Sequence, residues 1–120
     1  MARALFILAP ALLVFACSNE GDPGACKNDS DATCIEYPRS QGAAGKRMCD
    51  SNKTWIAGEK ACPKENRLGT CIKEGGKTSA FMYGGPPNNY TASAAKNACE
   101  WGGGVFTASS PPAGSASAPK

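Results

Sequence analysis

The chain predicts a small disulfide-rich α+β domain built from two diverged strand–helix–strand units. Two observations carry this. Cys26, Cys34, Cys49, Cys62, Cys71 and Cys99 are spread through the chain with no Cys-x-x-Cys pair, a pattern of structural staples rather than of zinc or dithiol redox chemistry. A set of short motifs also occurs twice in the same order. Thr33-Cys34-Ile35-Glu36 returns as Thr70-Cys71-Ile72-Lys73, and Lys46-Arg47-Met48-Cys49-Asp50 returns as Lys96-Asn97-Ala98-Cys99-Glu100. Thr54-Trp55-Ile56-Ala57 returns as Val105-Phe106-Thr107-Ala108.

The second unit is the easier to read. Thr70 to Lys73 and Thr78 to Tyr83 are strands on either side of Glu74-Gly75-Gly76-Lys77, whose glycines can take the positive φ of a tight turn. A loop, Gly84 to Asn89, follows. Tyr90 to Trp101 is a helix, capped by Thr91 or Ser93, favoured by its alanines and stopped by Gly102. Gly104 to Thr107 returns as a strand. In the first unit, Ala43 to Asn52 supplies a helix and Lys53 to Ala57 the strand after it. If equivalent cysteines pair within each unit, Cys34 joins Cys49 and Cys71 joins Cys99, leaving Cys26 for Cys62. Each bridge adds roughly 2–4 kcal/mol, mainly by restricting the unfolded chain.

The N-terminus carries a different signal. Arg3 precedes an apolar run from Ala4 to Ala16, shorter than the roughly 20 residues needed to span a bilayer but suited to a secretory signal. The run ends in Leu13-Val14-Phe15-Ala16-Cys17, which resembles the lipobox of bacterial lipoproteins. The resemblance implies lipidation of Cys17, removal of residues 1–16, and a mature protein that begins at Cys17. The chain has seven cysteines, and setting Cys17 aside leaves an even number for pairing in an oxidising compartment. Ser18, next to the lipidated position, implies outer-membrane delivery by the same family resemblance. Residues 17–24 then form a flexible tether, 25–107 the disulfide-stapled domain, and 108–120, rich in Ser, Ala and Pro, a disordered tail.

Composition removes several function classes. The net charge is +3 with lysines spread singly, so nucleic-acid binding has no electrostatic footprint. There is no histidine, the commonest general base and the usual partner of a catalytic Ser or Cys. Gly75-Gly76-Lys77-Thr78 looks like the end of a phosphate-binding loop, but Cys71 stands where the motif needs its first glycine. Asn28-Asp29-Ser30-Asp31 offers oxygen ligands without the glycine and distal glutamate of a calcium loop, and reads as a solvated turn. No cofactor, metal or enzymatic activity is expected.

Further elements carry a second resemblance: Cys34 to Tyr37, Cys49 to Trp55, Ala61 to Pro63, Leu68 to Cys71, Tyr90 to Glu100 and Gly103 to Phe106. Together they resemble small cysteine-rich exported proteins and lipoproteins of myxobacteria and related bacteria, with Phe106 where tryptophan is usual. That resemblance covers nearly the whole folded part and implies no particular activity.

Aromatics are the remaining candidates for binding. Trp55 and Phe106, in strands, belong to the core. Tyr83, Tyr90 and Trp101, around the Gly84–Asn89 loop, are candidate binding residues. The leading expectation is a monomeric, non-enzymatic binding or structural module. It would be held to the outer membrane by its lipid and would face an envelope glycan, peptidoglycan or protein. A secreted hydrolase inhibitor using the Gly84–Asn89 loop is the alternative. An enzyme relying on Glu36 or Glu100 ranks last.

Overall fold

The computed structural model describes residues 20–76 and 78–110. The expected signal peptide, Cys17, and residues 111–120 of the expected tail lie outside the described residues. Within them the chain is a six-stranded antiparallel sheet with two helices, an α+β domain stapled by three disulfides.

Chain order is β1 (Gly24–Asn28), β2 (Thr33–Tyr37), α1 (Gly42–Met48), β3 (Thr54–Ala57), β4 (Arg67–Lys73), β5 (Thr78–Tyr83), α2 (Ala92–Trp101) and β6 (Val105–Ala108). Spatial order is β3-β1-β2-β5-β4-β6. The chain therefore runs strand, strand, helix, strand twice. The two units meet edge to edge through β2 and β5.

Register makes the relation between units specific. Cys26 lies between Ile35 on β2 and Trp55 on β3. Cys71 lies between Ala80 on β5 and Phe106 on β6. At the junction Ile35 faces Ala80, so exchanging the units maps that pair onto itself. A pseudo-two-fold axis thus passes through the Ile35–Ala80 pair. Under it Gly24 corresponds to Gly69, Tyr37 to Met82, and Trp55 to Phe106.

This correspondence corrects the expected cysteine pairing. The disulfides are Cys26–Cys49, Cys34–Cys62 and Cys71–Cys99. Only Cys71–Cys99 agrees with the sequence expectation; Cys34–Cys49 and Cys26–Cys62 do not form. The partner of Cys71 under the axis is Cys26, so Cys26–Cys49 and Cys71–Cys99 are the equivalent strand-to-helix bridges. The Thr-Cys-Ile echo at Cys34 was a false anchor. It hid β1, whose Gly-Ala-Cys-Lys-Asn sequence lacks the β-branched and aromatic residues that mark strands.

Packing explains why β1 is so poor in large side chains. Residues directly opposite on antiparallel strands share a sheet face, so Gly24, Cys26, Trp55 and Tyr37 all point to the helix side. A Cβ on Gly24 would strike the Trp55 ring and come within 2.8 Å of the Ile56 carbonyl oxygen. The same holds at Gly69, where a Cβ would strike the Phe106 ring. In each unit a ring on the edge strand therefore covers a glycine on its neighbour.

Helices follow the same size rule. Gly42 and Gly45 each cost α1 roughly 1 kcal/mol of helix propensity relative to Ala. A Cβ on Gly45 would strike the Tyr37 ring, so packing overrides propensity there. In the second unit the smaller Met82 replaces Tyr37, and Ala95 is buried in the matching place. Helix α1 stops at Met48, short of the expected Asn52, because Asp50 turns the chain. Its side chain accepts the Asn52 N–H at 3.3 Å and its carbonyl the Lys53 N–H at 3.0 Å. Helix α2 starts at Ala92, two residues after the expected Tyr90, capped by Thr91, whose hydroxyl accepts the Ala94 N–H at 3.2 Å.

Strand β5 has its expected bounds, and the turn before it uses Gly75 and Gly76 at φ 65° and 95°. Strands β1 and β6 begin and end one residue outside the expected domain limits of 25 and 107. The described part of the expected tether also joins the fold, since the Gly21 N–H donates to the Arg39 carbonyl at 3.0 Å.

Two outcomes test this fold. Trypsin cuts between every pair of the six cysteines, so peptide 28–39 is expected linked to 61–64, and 48–53 to the peptide ending at Lys27, in an unreduced mass map. Gly24→Ala and Gly69→Ala should each lower stability by roughly 1–3 kcal/mol through overpacking, measured by urea unfolding. No loss would mean the rings are free to leave the glycines.

Candidate functional site

The face opposite the helices holds an open concavity. One half of that face is covered by the linker between β3 and β4, residues 58–66. Gly58 donates its N–H to the Pro23 carbonyl at 2.9 Å and, at φ 115°, sends the chain back across the sheet. Cys62 then sits over β2, bonded to Cys34, and its N–H donates to Glu36 Oε1 at 3.3 Å. Ala25, Cys34, Cys62 and Tyr83 form a buried cluster with Phe81 packed against it.

Arg67 and Tyr83 lock the end of the linker. The Tyr83 hydroxyl donates to the Pro63 carbonyl at 2.8 Å. Arg67 donates to the carbonyls of Cys62 and Pro63 at 3.1 and 2.8 Å, and its guanidinium lies 3.7 Å over the Phe81 ring. Burial is the largest cause raising the Tyr83 phenol above its ordinary value of 10.0, with the Arg67 hydrogen bond pulling the other way.

Beside the linker lies an open cavity of about 490 Å³, whose walls include Glu36, Pro38, Arg39, Lys60, Ser79 and Phe81. It is built on the junction of the two units, since Glu36 and Ser79 follow the Ile35–Ala80 pair on facing strands. Arg39 pairs with Asp22 at 3.7 Å nearby. Nothing in the sequence singled out this cavity, because it depends on the antiparallel joining of β2 to β5 and on the path of the linker.

The three candidate aromatics do not converge. Tyr83 is 8% exposed and holds the linker, which corrects its assignment as a binding residue. Tyr90 is 39% exposed and lines a shallow groove of about 280 Å³ with Met82, Lys73 and Ala95. Trp101 is 96% exposed at the far end of α2, about 15 Å away by the rise of a ten-residue helix. Trp55 and Phe106, expected in the core, are only partly buried at its margin. Trp55 lies 6.0 Å from Tyr37, ring centre to ring centre, and Phe106 packs on the Cys71–Cys99 cluster.

The carboxylates considered for catalysis are also apart. Glu36 binds the linker, whereas Glu100 pairs with Lys96 on α2 at 3.9 Å. Asn28 and Asp31 close the β1–β2 turn on themselves through a 2.8 Å hydrogen bond. Among the described residues no group of three or more His, Cys, Asp or Glu is placed to hold a metal ion, and no helix is long and apolar enough to cross a membrane. No family model, no curated protein and no solved structure matches the chain.

Tyr83 gives the fold a pH dependence. Its phenol is raised in the folded state, so its stabilisation is complete below the unfolded value of 10.0 and is lost as pH climbs through the folded value. Stability measured by urea unfolding should fall above about pH 10. Tyr83→Phe should lose about 0.5–1.5 kcal/mol at neutral pH and flatten that alkaline decline. An unchanged decline would place its origin elsewhere.

Proposed function

We propose that this chain is a lipid-anchored protein of the bacterial cell envelope that acts as a non-enzymatic binding or structural module. The observation that carries the binding reading is Trp101, 96% exposed at the end of α2. Leaving a large apolar side chain in water forgoes roughly 1.5–3 kcal/mol of burial, and tryptophans are over-represented among the residues that dominate interfaces. Rigidity of the frame, with both ends of α2 fixed by Thr91 and Gly102, lowers the cost of ordering it on binding.

Cysteine parity supports the anchor. The six other cysteines pair with one another, so Cys17 has no partner left within the chain and is available for acylation. A multiply acylated cysteine would hold the protein firmly at a membrane, and Ser18 favours the outer one.

A second reading has its own observation. The loop Gly84–Asn89 is fastened to the β1–β2 turn by Asn88, whose side-chain amide donates to the Asp29 and Ser30 carbonyls at 2.9 and 3.0 Å. Pro86 and Pro87 stand exposed on it, as the contact segment of a hydrolase inhibitor would. Inhibition of no member of a hydrolase panel would remove this second reading.

The test of the first reading has two parts. The intact mass of the protein from its own cells should begin at Cys17, with acyl chains and three disulfides. Retention of the unacylated chain, residues 18–120, on isolated envelope fractions should fall about tenfold or more in Trp101→Ser, a loss of about 1.4 kcal/mol or more, with stability changed by less than about 0.5 kcal/mol. A lipid-free mass would contradict the anchor, and equal retention of the variant would contradict the role of Trp101.

A further inference from the structure

The pseudo-two-fold axis shows what kind of occupant the open cavity fits. Cys34, Glu36, Phe81 and Tyr83 surround the covered seat of Cys62 and Pro63. Their equivalents under the axis are Ser79, Phe81, Glu36 and Pro38, and all four line the open cavity. The cavity is therefore the counterpart of the linker's seat, built from the same sheet positions and left uncovered by the described residues. It is continuous with the covered seat, since Glu59 and Lys60 of the linker form its near wall and Glu36 and Phe81 serve both halves.

The two units begin the same path and then part. Ser109 donates its N–H to the Leu68 carbonyl at 2.9 Å, the counterpart of the Gly58 bond to Pro23. Gly58 then turns back over the sheet at φ 115°, whereas Ser109 is not among the positive-φ residues. The second unit also lacks the covalent anchor, because Ser79 stands where the first unit has Cys34. Among the described residues the chain thus fills one seat with its own linker and neither turns nor bonds to fill the other.

We propose that the cavity over Ser79 binds an extended peptide segment of another protein, with a small side chain followed by proline. It would lie across the sheet as Ala61-Cys62-Pro63 lies across the covered half. An extended proline-containing segment loses little conformational freedom on binding. In the covered seat a carboxylate accepts the N–H of the small residue and ring side chains flank it. The open seat offers Glu36, whose carboxylate has acceptor capacity beyond its bond to Cys62, together with Phe81 and Pro38. This rests on the binding-module reading and gives it a ligand class. It fails separately, because it involves neither Trp101 nor Cys17.

Titration of the full, nitrogen-labelled, disulfide-bonded chain with the acetylated, amidated peptide Glu-Lys-Ala-Ser-Pro-Lys tests it by NMR. Saturable amide shifts are expected at Glu36, Arg39, Ser79 and Phe81, and none of them with a scrambled peptide of the same composition. Ser79→Trp, which fills the cavity from an exposed position, should weaken binding tenfold or more while leaving the α2 and β6 amides unmoved. Equal shifts from the scrambled peptide, or shifts elsewhere on the molecule, would overturn the proposal. So would binding seen only in a chain ending at Ser110, since residues 111–120 would then be the occupant. Envelope retention that depends on Trp101 in the absence of peptide binding would leave the module reading standing without this ligand.

Discussion

The largest side chains wholly removed from water in the described residues are those of Cys34 and Cys99. Around them lie Ala25, Ala95, Cys62 and Cys71, with Met82 and Tyr83 at the margin. A domain of this size buries only a limited share of its surface, and the buried positions of this one are mostly small. The disulfides therefore serve as the core as well as the cross-links. Three bridges at roughly 2–4 kcal/mol each amount to about the whole net stability of an ordinary small domain.

Much of the remaining architecture follows from placing each bridge between a strand and something that must lie flat against it. Cys26–Cys49 and Cys71–Cys99 draw the helices down onto the sheet. Close approach then requires Gly45 and Ala95 on the facing helices and Gly24 and Gly69 beneath the edge-strand rings. Cys34–Cys62 breaks the symmetry by drawing the linker over one half of the opposite face. That single asymmetry divides the junction of the units into a sealed half, locked by Tyr83 and Arg67, and an open half over Ser79. The open half and the exposed Trp101 are surfaces that a purely structural account leaves without a use.

The legible parts of the chain were those with local signals. Strand β5, the glycine turn before it, the Thr91 cap, the Gly102 stop and the aromatic edge strands all carry their own residue patterns. The Lys-x-x-Cys segments and the aromatic strands are equivalent under the axis, and the sequence echo there agrees with the Cys71–Cys99 bridge. Strand β1 was not legible because packing demands the residues that strand propensity disfavours: glycine under Trp55 and alanine under the linker. Losing β1 moved the alignment onto Cys34 and exchanged two disulfides. The role of Tyr83, a candidate binding residue by sequence, was hidden because no local feature tells that residues 58–66 cross the sheet instead of looping into solvent. The cavity was hidden for the same reason, since it arises from register and chain path.

Full reduction of the three disulfides in buffer without denaturant, followed by proton–nitrogen correlation NMR, tests most directly whether the bridges are the core. Collapse of amide dispersion across both units is the predicted result. A reduced chain that kept its dispersed spectrum would show that apolar packing and the sheet hold the fold unaided, and would contradict the account.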